Sequence, residues 1–105
     1  MNILIIDTSS NKEIIIGLKI NGKEYLLKQP IDYQKAQVVL PLTEKLLKEH
    51  KLALSDIDKI EVNTGPGSFT GVRVGVSISN ALAYLLKVPI NDKKLGDIVD
   101  PVYSI

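Results

Sequence analysis

The sequence predicts an α/β fold, in which a mixed sheet with an antiparallel three-strand meander carries two main helices. Three observations predict this fold. The N-terminal apolar run has the composition of a strand that is covered on both faces. Alternating segments on either side of Asn21-Gly22 are typical of a β-hairpin. A helical pattern, a short strand and a second helical pattern follow, and this order places the fourth strand parallel to the first.

The first three strands follow from the spacing of apolar residues. Ile3–Ile6 is apolar throughout and leads into a polar turn. Every second residue of Ile14–Ile20 is a large aliphatic, which is typical of a half-buried strand. After Asn21-Gly22, we expect a returning strand over Lys23–Gln29, and we expect Pro30 to end it.

A helical pattern covers residues 34–50. Val39, Leu42 and Leu46 form its apolar stripe. Pro41 lies inside the pattern, so either the regular helix begins near it or the helix kinks there. A short strand is then predicted over Asp58–Thr64.

Residues 63–71 form a glycine-rich turn between the fourth strand and the second helix. Gly65 and Gly67 permit positive φ or a close backbone approach, and Ser68 or Thr70 can cap the helix. The turn is either an architectural elbow or an anion site, because free amides and the helix dipole favour phosphate. It lacks the Gly-Lys-Ser/Thr of a Walker loop, and its third glycine comes one residue too late for a dinucleotide fingerprint.

The second predicted helix runs to about Lys87 and is apolar on nearly all sides, which is typical of a helix covered on nearly all sides. Small side chains recur at every fourth residue along one side: Gly71, Gly75, Ser79 and Ala83. Either this stripe packs on the chain's own sheet, or it lets a partner's backbone approach closely. Arg73, the only arginine, either faces solvent or pairs with a partner's carboxylate or phosphate. Phe69 either fills the core or contacts a partner.

One small sheet can cover only one face of this helix, so either the first helix or a partner protein must lie against the others. We expect a partner protein. The predicted contacts lie on both helices and include the small stripe: Val39, Leu42, Phe69, Gly71, Val72, Arg73, Gly75, Val76, Ser79 and Ala83. Gly75→Arg or Ser79→Arg should then abolish association while leaving the fold intact.

Polar residues at the end of the first strand offer a second candidate site. The carboxylate of Asp7 and the hydroxyls of Thr8 and Ser9 could hold a magnesium-phosphate group. The candidate cofactor-binding residues are Asp7, Thr8, Gly67 and Ser68. Alternatively, Asp7 and its neighbours satisfy the amides of their own turn. The single histidine, His50, is expected to cap the first helix. We expect no cofactor and no metal, since zinc sites and His-based triads lack parts in a chain without cysteine.

Composition describes an ordinary globular domain. The 105 residues are 45% hydrophobic and 24% charged, with a net charge of +1. The lysines do not cluster, which argues against a dedicated nucleic-acid surface. The N-terminal apolar run is too short for a signal peptide, and no run approaches the length of a membrane span. The cytoplasm is therefore the expected compartment, with no membrane partner.

Five segments together resemble the TsaB family, a bacterial subunit of the tRNA threonylcarbamoyladenosine machinery. They are Ile5-Ile6-Asp7-Thr8-Ser9, Leu40-Pro41-Leu42 ahead of Leu46-Leu47, Gly65-Pro66-Gly67-Ser68-Phe69-Thr70-Gly71-Val72-Arg73-Val74-Gly75, Ala81-Leu82-Ala83-Tyr84 and Val88-Pro89-Ile90. The resemblance covers residues 2 to about 90, and its glycine-rich motif is highly specific.

The resemblance implies an actin/hexokinase-like (ASKHA, RNase H-like) half-domain that is a non-catalytic scaffold. It implies pairing with the paralogue TsaD, which carries the metal and active site, through two helices from each subunit. The ATPase TsaE joins that complex, and the modified base is the adenosine next to the anticodon. Contact with tRNA is expected only indirectly, and the isolated chain could form a homodimer through the same face. The alternatives are a small phosphate- or ATP-binding domain or ATPase fragment of the ASKHA superfamily and, ranked last, a peptidase.

We expect residues 1–90 to form the TsaB-like domain and residues 91–105 to form a tail in place of the relatives' second domain. Asn91-Asp92-Lys93-Lys94 interrupts a strand that relatives continue, and the last residues resemble the C-terminus of full-length relatives. This suggests a naturally reduced protein that lost its second domain, and a single domain cannot enclose ATP in the ASKHA manner. The apolar tail residues are expected to dock on the sheet or on a partner: Ile98, Val99, Val102, Tyr103 and Ile105.

Overall fold

In a computed structural model, the chain forms a four-stranded mixed sheet with two helices that pack on the sheet and on each other. The structure describes residues 1–30 and 35–102, apart from the side chains of Lys35, Ala36 and Phe69. Its elements, in chain order, are β1 (Asn2–Asp7), β2 (Glu13–Ile20), β3 (Lys23–Pro30), α1 (Lys35–Glu49), a 3-10 turn (Leu54–Asp56), β4 (Lys59–Val62) and α2 (Phe69–Leu86). The strand order is β3-β2-β1-β4. This architecture confirms the predicted fold class.

The predicted meander and the parallel fourth strand are both present. β1 and β2 pair antiparallel, as do β2 and β3, whereas β4 pairs parallel to β1. Asn21 and Gly22 both have positive φ, 50° and 87°, as a tight hairpin turn requires. Pro30 still pairs with Glu13, so β3 ends one residue later than predicted. Proline is tolerated there because β3 is an edge strand.

The core lies between the sheet and the helices. Leu4 and Ile6 of β1 are fully buried on this inner face, beside the equally buried Ile16 and Ile60 of the adjacent strands. The opposite face of β1 was expected to be covered as well, and that prediction is wrong for the described residues. Ile3 and Ile5 are only partly buried, because no described helix packs on that side.

α1 continues through Pro41, so the alternative in which the regular helix begins near that proline does not hold. Val39, Leu42 and Leu46 are buried and form the core stripe that their spacing predicted. His50 follows the helix, and its Nδ1 lies 2.9 Å from the carbonyl oxygen of Leu46, the expected capping position. Residue 34 of the predicted helix lies outside the described residues.

β4 is shorter than predicted because the chain turns away from the ladder after Val62. Asn63 still donates its N–H to the carbonyl of Ile6, 3.1 Å away, whereas the carbonyl of Thr64 accepts the N–H of Val102 in the tail. α2 begins after Ser68, whose hydroxyl accepts the N–H of Gly71, so Ser68 rather than Thr70 is the N-cap. Within the described ranges, neither helix has the length and apolar composition that crossing a membrane requires.

The tail runs back from the β4 edge alongside α2. Val99 is buried, and the Asn80 side chain holds it by accepting the Val99 N–H at 3.0 Å and donating to its carbonyl at 2.9 Å. Ile98 and Val102 remain 61% and 52% exposed, so these two side chains do not dock on the sheet, and their docking on a partner stays a prediction. Tyr103 and Ile105 lie outside the described residues.

Candidate partner-binding face and glycine-rich elbow

The glycine-rich elbow is a crowded junction of three chain segments. Gly65 has φ of +100°, and a Cβ there would lie 2.1 Å from the carbonyl oxygen of Val102. A Cβ at Gly67 would lie 2.9 Å from both the carbonyl oxygen and the Cβ of Ser9. Glycine is therefore required at both positions by close backbone contact within the chain.

Four backbone amides of the elbow and the start of α2 donate within the chain. Gly65 N–H donates to Oδ1 of Asn63 at 2.9 Å, and Ser68 N–H donates to the carbonyl of Ser9 at 2.8 Å. At the start of α2, the N–H groups of Gly71 and Val72 donate to the hydroxyl and carbonyl of Ser68. These contacts match the architectural alternative, because an anion would need amides that are free to point at it.

Asp7 and Thr8 make hydrogen bonds within the same junction. The Asp7 carboxylate accepts the N–H and hydroxyl of Ser9 at 3.0 and 2.6 Å, and the amide of Asn63 at 3.3 Å. The Thr8 hydroxyl is buried and donates to the carbonyl of Gly71. Asp7 therefore satisfies polar groups of its own turn, which is the second of the two alternatives that the sequence left open. Among the described residues, no three acidic or histidine side chains lie together in a group that could hold a metal.

The stripe of small residues on α2 faces the interior, so the alternative in which it lets a partner's backbone approach closely is wrong for this fold. Gly75 lies over β1, and a Cβ there would be 2.3 Å from Oγ1 of Thr8. The buried residues of the predicted contact set are Val39, Leu42, Gly71, Val72, Gly75, Val76, Ser79 and Ala83. The small side chains let α2 approach the chain's own sheet, as the other alternative held. Gly75→Arg therefore cannot leave this fold intact.

The outer face of α2 carries a different apolar stripe, which we call the outer seam: Val74, Ile78, Ala81 and Leu85. Val74 and Ile78 are partly buried, and Leu85 is 70% exposed. The spacing of four, three and four residues is that of a coiled-coil seam. We did not predict this seam from the sequence, because the helix pattern is apolar on nearly all sides. The spacing of these four residues was enough to predict it.

Two shallow grooves flank the outer seam. Exposed Arg73 lines the first, near the start of α2, together with Val74 and Ile78. The second lies between the last turn of α2 and the tail, where Tyr84 and Leu95 are 81% and 65% exposed. Of the predicted contact residues with described side chains, only Arg73 is exposed. The side chain of Phe69 lies outside the described set.

Comparison with known proteins gives consistent matches. The family model for TsaD, tRNA N6-adenosine threonylcarbamoyltransferase, matches residues 32–92. The tRNA threonylcarbamoyladenosine biosynthesis protein TsaB of Bacillus subtilis is 36% identical over 94 residues, which cover 87% of this chain and 40% of that protein. The chain thus spans about 40% of the length of the curated relatives that it matches first.

Solved structures agree in fold and sequence. YeaZ from Pseudomonas aeruginosa has a TM-score of 0.80 and 34% identity, and the match covers 86% of this chain and 42% of that one. A structure described as an uncharacterized protein with similarity to peptidase YEAZ from Pseudomonas aeruginosa gives a TM-score of 0.80 and 35% identity, covering 85% of this chain and 41% of that one. The chain therefore belongs to the family that the TsaD model describes, and within it to the TsaB-type proteins.

Proposed function

We propose that this chain is a non-catalytic scaffold and dimerisation subunit in the cytoplasmic biosynthesis of tRNA threonylcarbamoyladenosine. It pairs with a TsaD-type paralogue through the outer seam of α2. The observation that carries the proposal is this seam, a stripe of exposed and partly buried apolar residues at coiled-coil spacing on a helix whose other face is already buried.

The charge distribution supports a protein partner on α2. Arg73 is the only charged residue between Phe69 and Leu86, although six positions of that helix are exposed to solvent. α1 instead presents charged side chains to solvent, among them Glu44, Lys45 and Lys48. A solvent-facing helix normally carries charges on its outer face, and interface cores are depleted of them. α2 therefore has the composition of a helix that another subunit covers.

Covering the outer seam contributes part of the free energy of association. Burying a leucine or isoleucine side chain contributes about 1.5–3 kcal/mol, and Leu85 starts 70% exposed. Ile78 and Val74 add smaller amounts because they are already partly buried. Arg73 at the N-terminal end of the seam can pair with a carboxylate of the partner, which would fix the register of the two helices.

A paralogue is the proposed partner because the chain matches both a TsaD family model and proteins named TsaB. A paralogue with the same fold would carry an equivalent helix, and two such helices can pack seam to seam. We propose that an ATPase of the TsaE type joins this pair and that tRNA contacts the complex mainly through the catalytic subunit. Without its partner, the chain would form a homodimer through the same seam.

The test is Leu85→Arg, measured by light scattering and by titration against the cognate TsaD-type subunit. We expect binding to weaken at least about tenfold, because the variant loses an apolar contact and places a charge in the seam. At a concentration low enough to keep the chain monomeric, its thermal melt should not change, since Leu85 is 70% exposed.

Leu26→Arg is the matched control. Leu26 is also an exposed leucine, at 45%, but it lies on β3, on the sheet face that carries no described helix. This variant should bind as the unmodified chain does. Equal binding by Leu85→Arg and the unmodified chain would refute the proposed pairing surface.

A further inference from the structure

The outer edge of β4 is the place where another strand would be expected. β4 is the last strand in the order β3-β2-β1-β4. The next bridge beyond it is a single pair, between Ile60 and Ile90. An open edge presents unpaired N–H and C=O groups that can pair with a strand of another chain. The backbone groups of Ile60, Val62 and Thr64 point toward this edge.

The edge is nevertheless hydrogen-bonded along its length, and Asn91 makes most of the bonds. Ile60 N–H donates to the carbonyl of Pro89 at 3.0 Å, and Asn91 N–H donates to the carbonyl of Ile60 at 2.8 Å. The Asn91 side chain then accepts the Val62 N–H at 2.8 Å and donates to the Val62 carbonyl at 3.1 Å. A primary amide has the same donor and acceptor as a peptide group, so this side chain takes the place of the next strand residue.

The tail completes the edge at its far end. Val102 N–H donates to the carbonyl of Thr64 at 2.6 Å. Between Asn91 and Val102, the paired hydrogen bonds of Asn80 with Val99 hold the tail against α2. Two backbone segments and one side chain therefore pair groups that a continuous strand would otherwise pair.

We propose that residues 89–102 form an edge cap that replaces a fifth strand, with Asn91 as its central residue. The strand-pairing surface that it closes would otherwise take an extended strand from a second copy of this chain. Asn91 suits this role because its φ is +52°, a conformation that asparagine adopts more readily than most residues. The hydrogen bonds of the cap lie on the β4 edge and along the tail, and none of them involves a residue of the outer seam.

Asn91→Gly and Asn91→Asp test the cap by amide hydrogen exchange and analytical ultracentrifugation. Glycine keeps the left-handed backbone and removes the side chain, so Val62 N–H should exchange about tenfold faster. Ile60 N–H, which donates to a backbone carbonyl, should change less than about twofold. The glycine variant should also show a larger average mass than the unmodified chain at the same high concentration.

Asn91→Asp is the matched variant. Its carboxylate can still accept the Val62 N–H but no longer donates to the Val62 carbonyl, so that amide should exchange more slowly than in Asn91→Gly. A charge at the edge also opposes strand pairing, so the mass should not rise. Unchanged Val62 exchange or unchanged mass in Asn91→Gly would overturn the proposal. Loss of protection throughout β1 and β2 would do the same, because it would show a role in the whole fold rather than at one edge.

Discussion

Gly75→Ala should destabilise the fold, although alanine is the better helix former. A Cβ at Gly75 would lie 2.3 Å from Oγ1 of Thr8, whereas ordinary contact begins at 3.4 Å. Either α2 must move away from β1 by about 1 Å, or Thr8 must rotate. Rotation would break the buried hydrogen bond from the Thr8 hydroxyl to the carbonyl of Gly71.

The magnitude follows from three terms. Overpacking a tight contact costs about 1–3 kcal/mol, and leaving a buried hydroxyl or carbonyl unpaired costs about the same. Replacing a helical glycine with alanine returns about 1 kcal/mol. Because the chain takes the cheaper of the two adjustments and alanine returns part of its cost, we expect the free energy of unfolding to fall by about 1 kcal/mol. Urea denaturation with an unchanged m-value would measure this.

Two further variants separate this mechanism from a general helix effect. Ser77→Ala changes an exposed position of the same helix and should stay within about 0.5 kcal/mol of the unmodified chain. Thr8→Ala in the Gly75→Ala background removes the clashing atom, so the two substitutions should couple by at least about 1 kcal/mol. If Gly75→Ala is as stable as the unmodified chain, α2 does not depend on this close approach.

Two other predictions concern the interior and the elbow. Ser79 is fully buried, and its hydroxyl has no partner among the described residues, so Ser79→Ala should raise the free energy of unfolding by about 1 kcal/mol in the same urea assay. A loss of stability instead would show that the hydroxyl is bonded. Calorimetric titration with magnesium and ATP should give only heat of dilution, because Ser9 and Asn63 already accept amides of the elbow; saturable heat would contradict this.

The sheet could be predicted from the sequence because its signals are local. Asn21-Gly22 sets the hairpin by its own backbone preference, and the two-residue period of Ile14–Ile20 sets which side chains face the core. The helix in 34–50 and the N-cap at Ser68 could also be predicted, because both depend on residues close together in the sequence. The end of β4 could not be predicted in this way, because it depends on a distant residue. The carbonyl of Thr64 accepts the N–H of Val102, which lies far along the chain.

The orientation of α2 could not be predicted because small residues serve two purposes equally well. Gly75 permits close approach to a partner's helix or to the chain's own β1, and its spacing is the same in both cases. What decides between them is Thr8, which only the folded chain brings beneath Gly75. The inference that α2 has more apolar surface than one sheet covers was nevertheless sound, since Leu85 and Tyr84 remain mostly exposed.

The two faces of α2 are linked by this close contact. A helix that rests on β1 through glycine has little freedom to slide or roll, because the Thr8 side chain fills the space below Gly75. The outer seam is therefore held in a fixed orientation before any partner arrives, which lowers the ordering cost of association. Since Asn91 pairs the Val62 backbone at the β4 edge, we propose the helix face rather than that edge as the assembly surface.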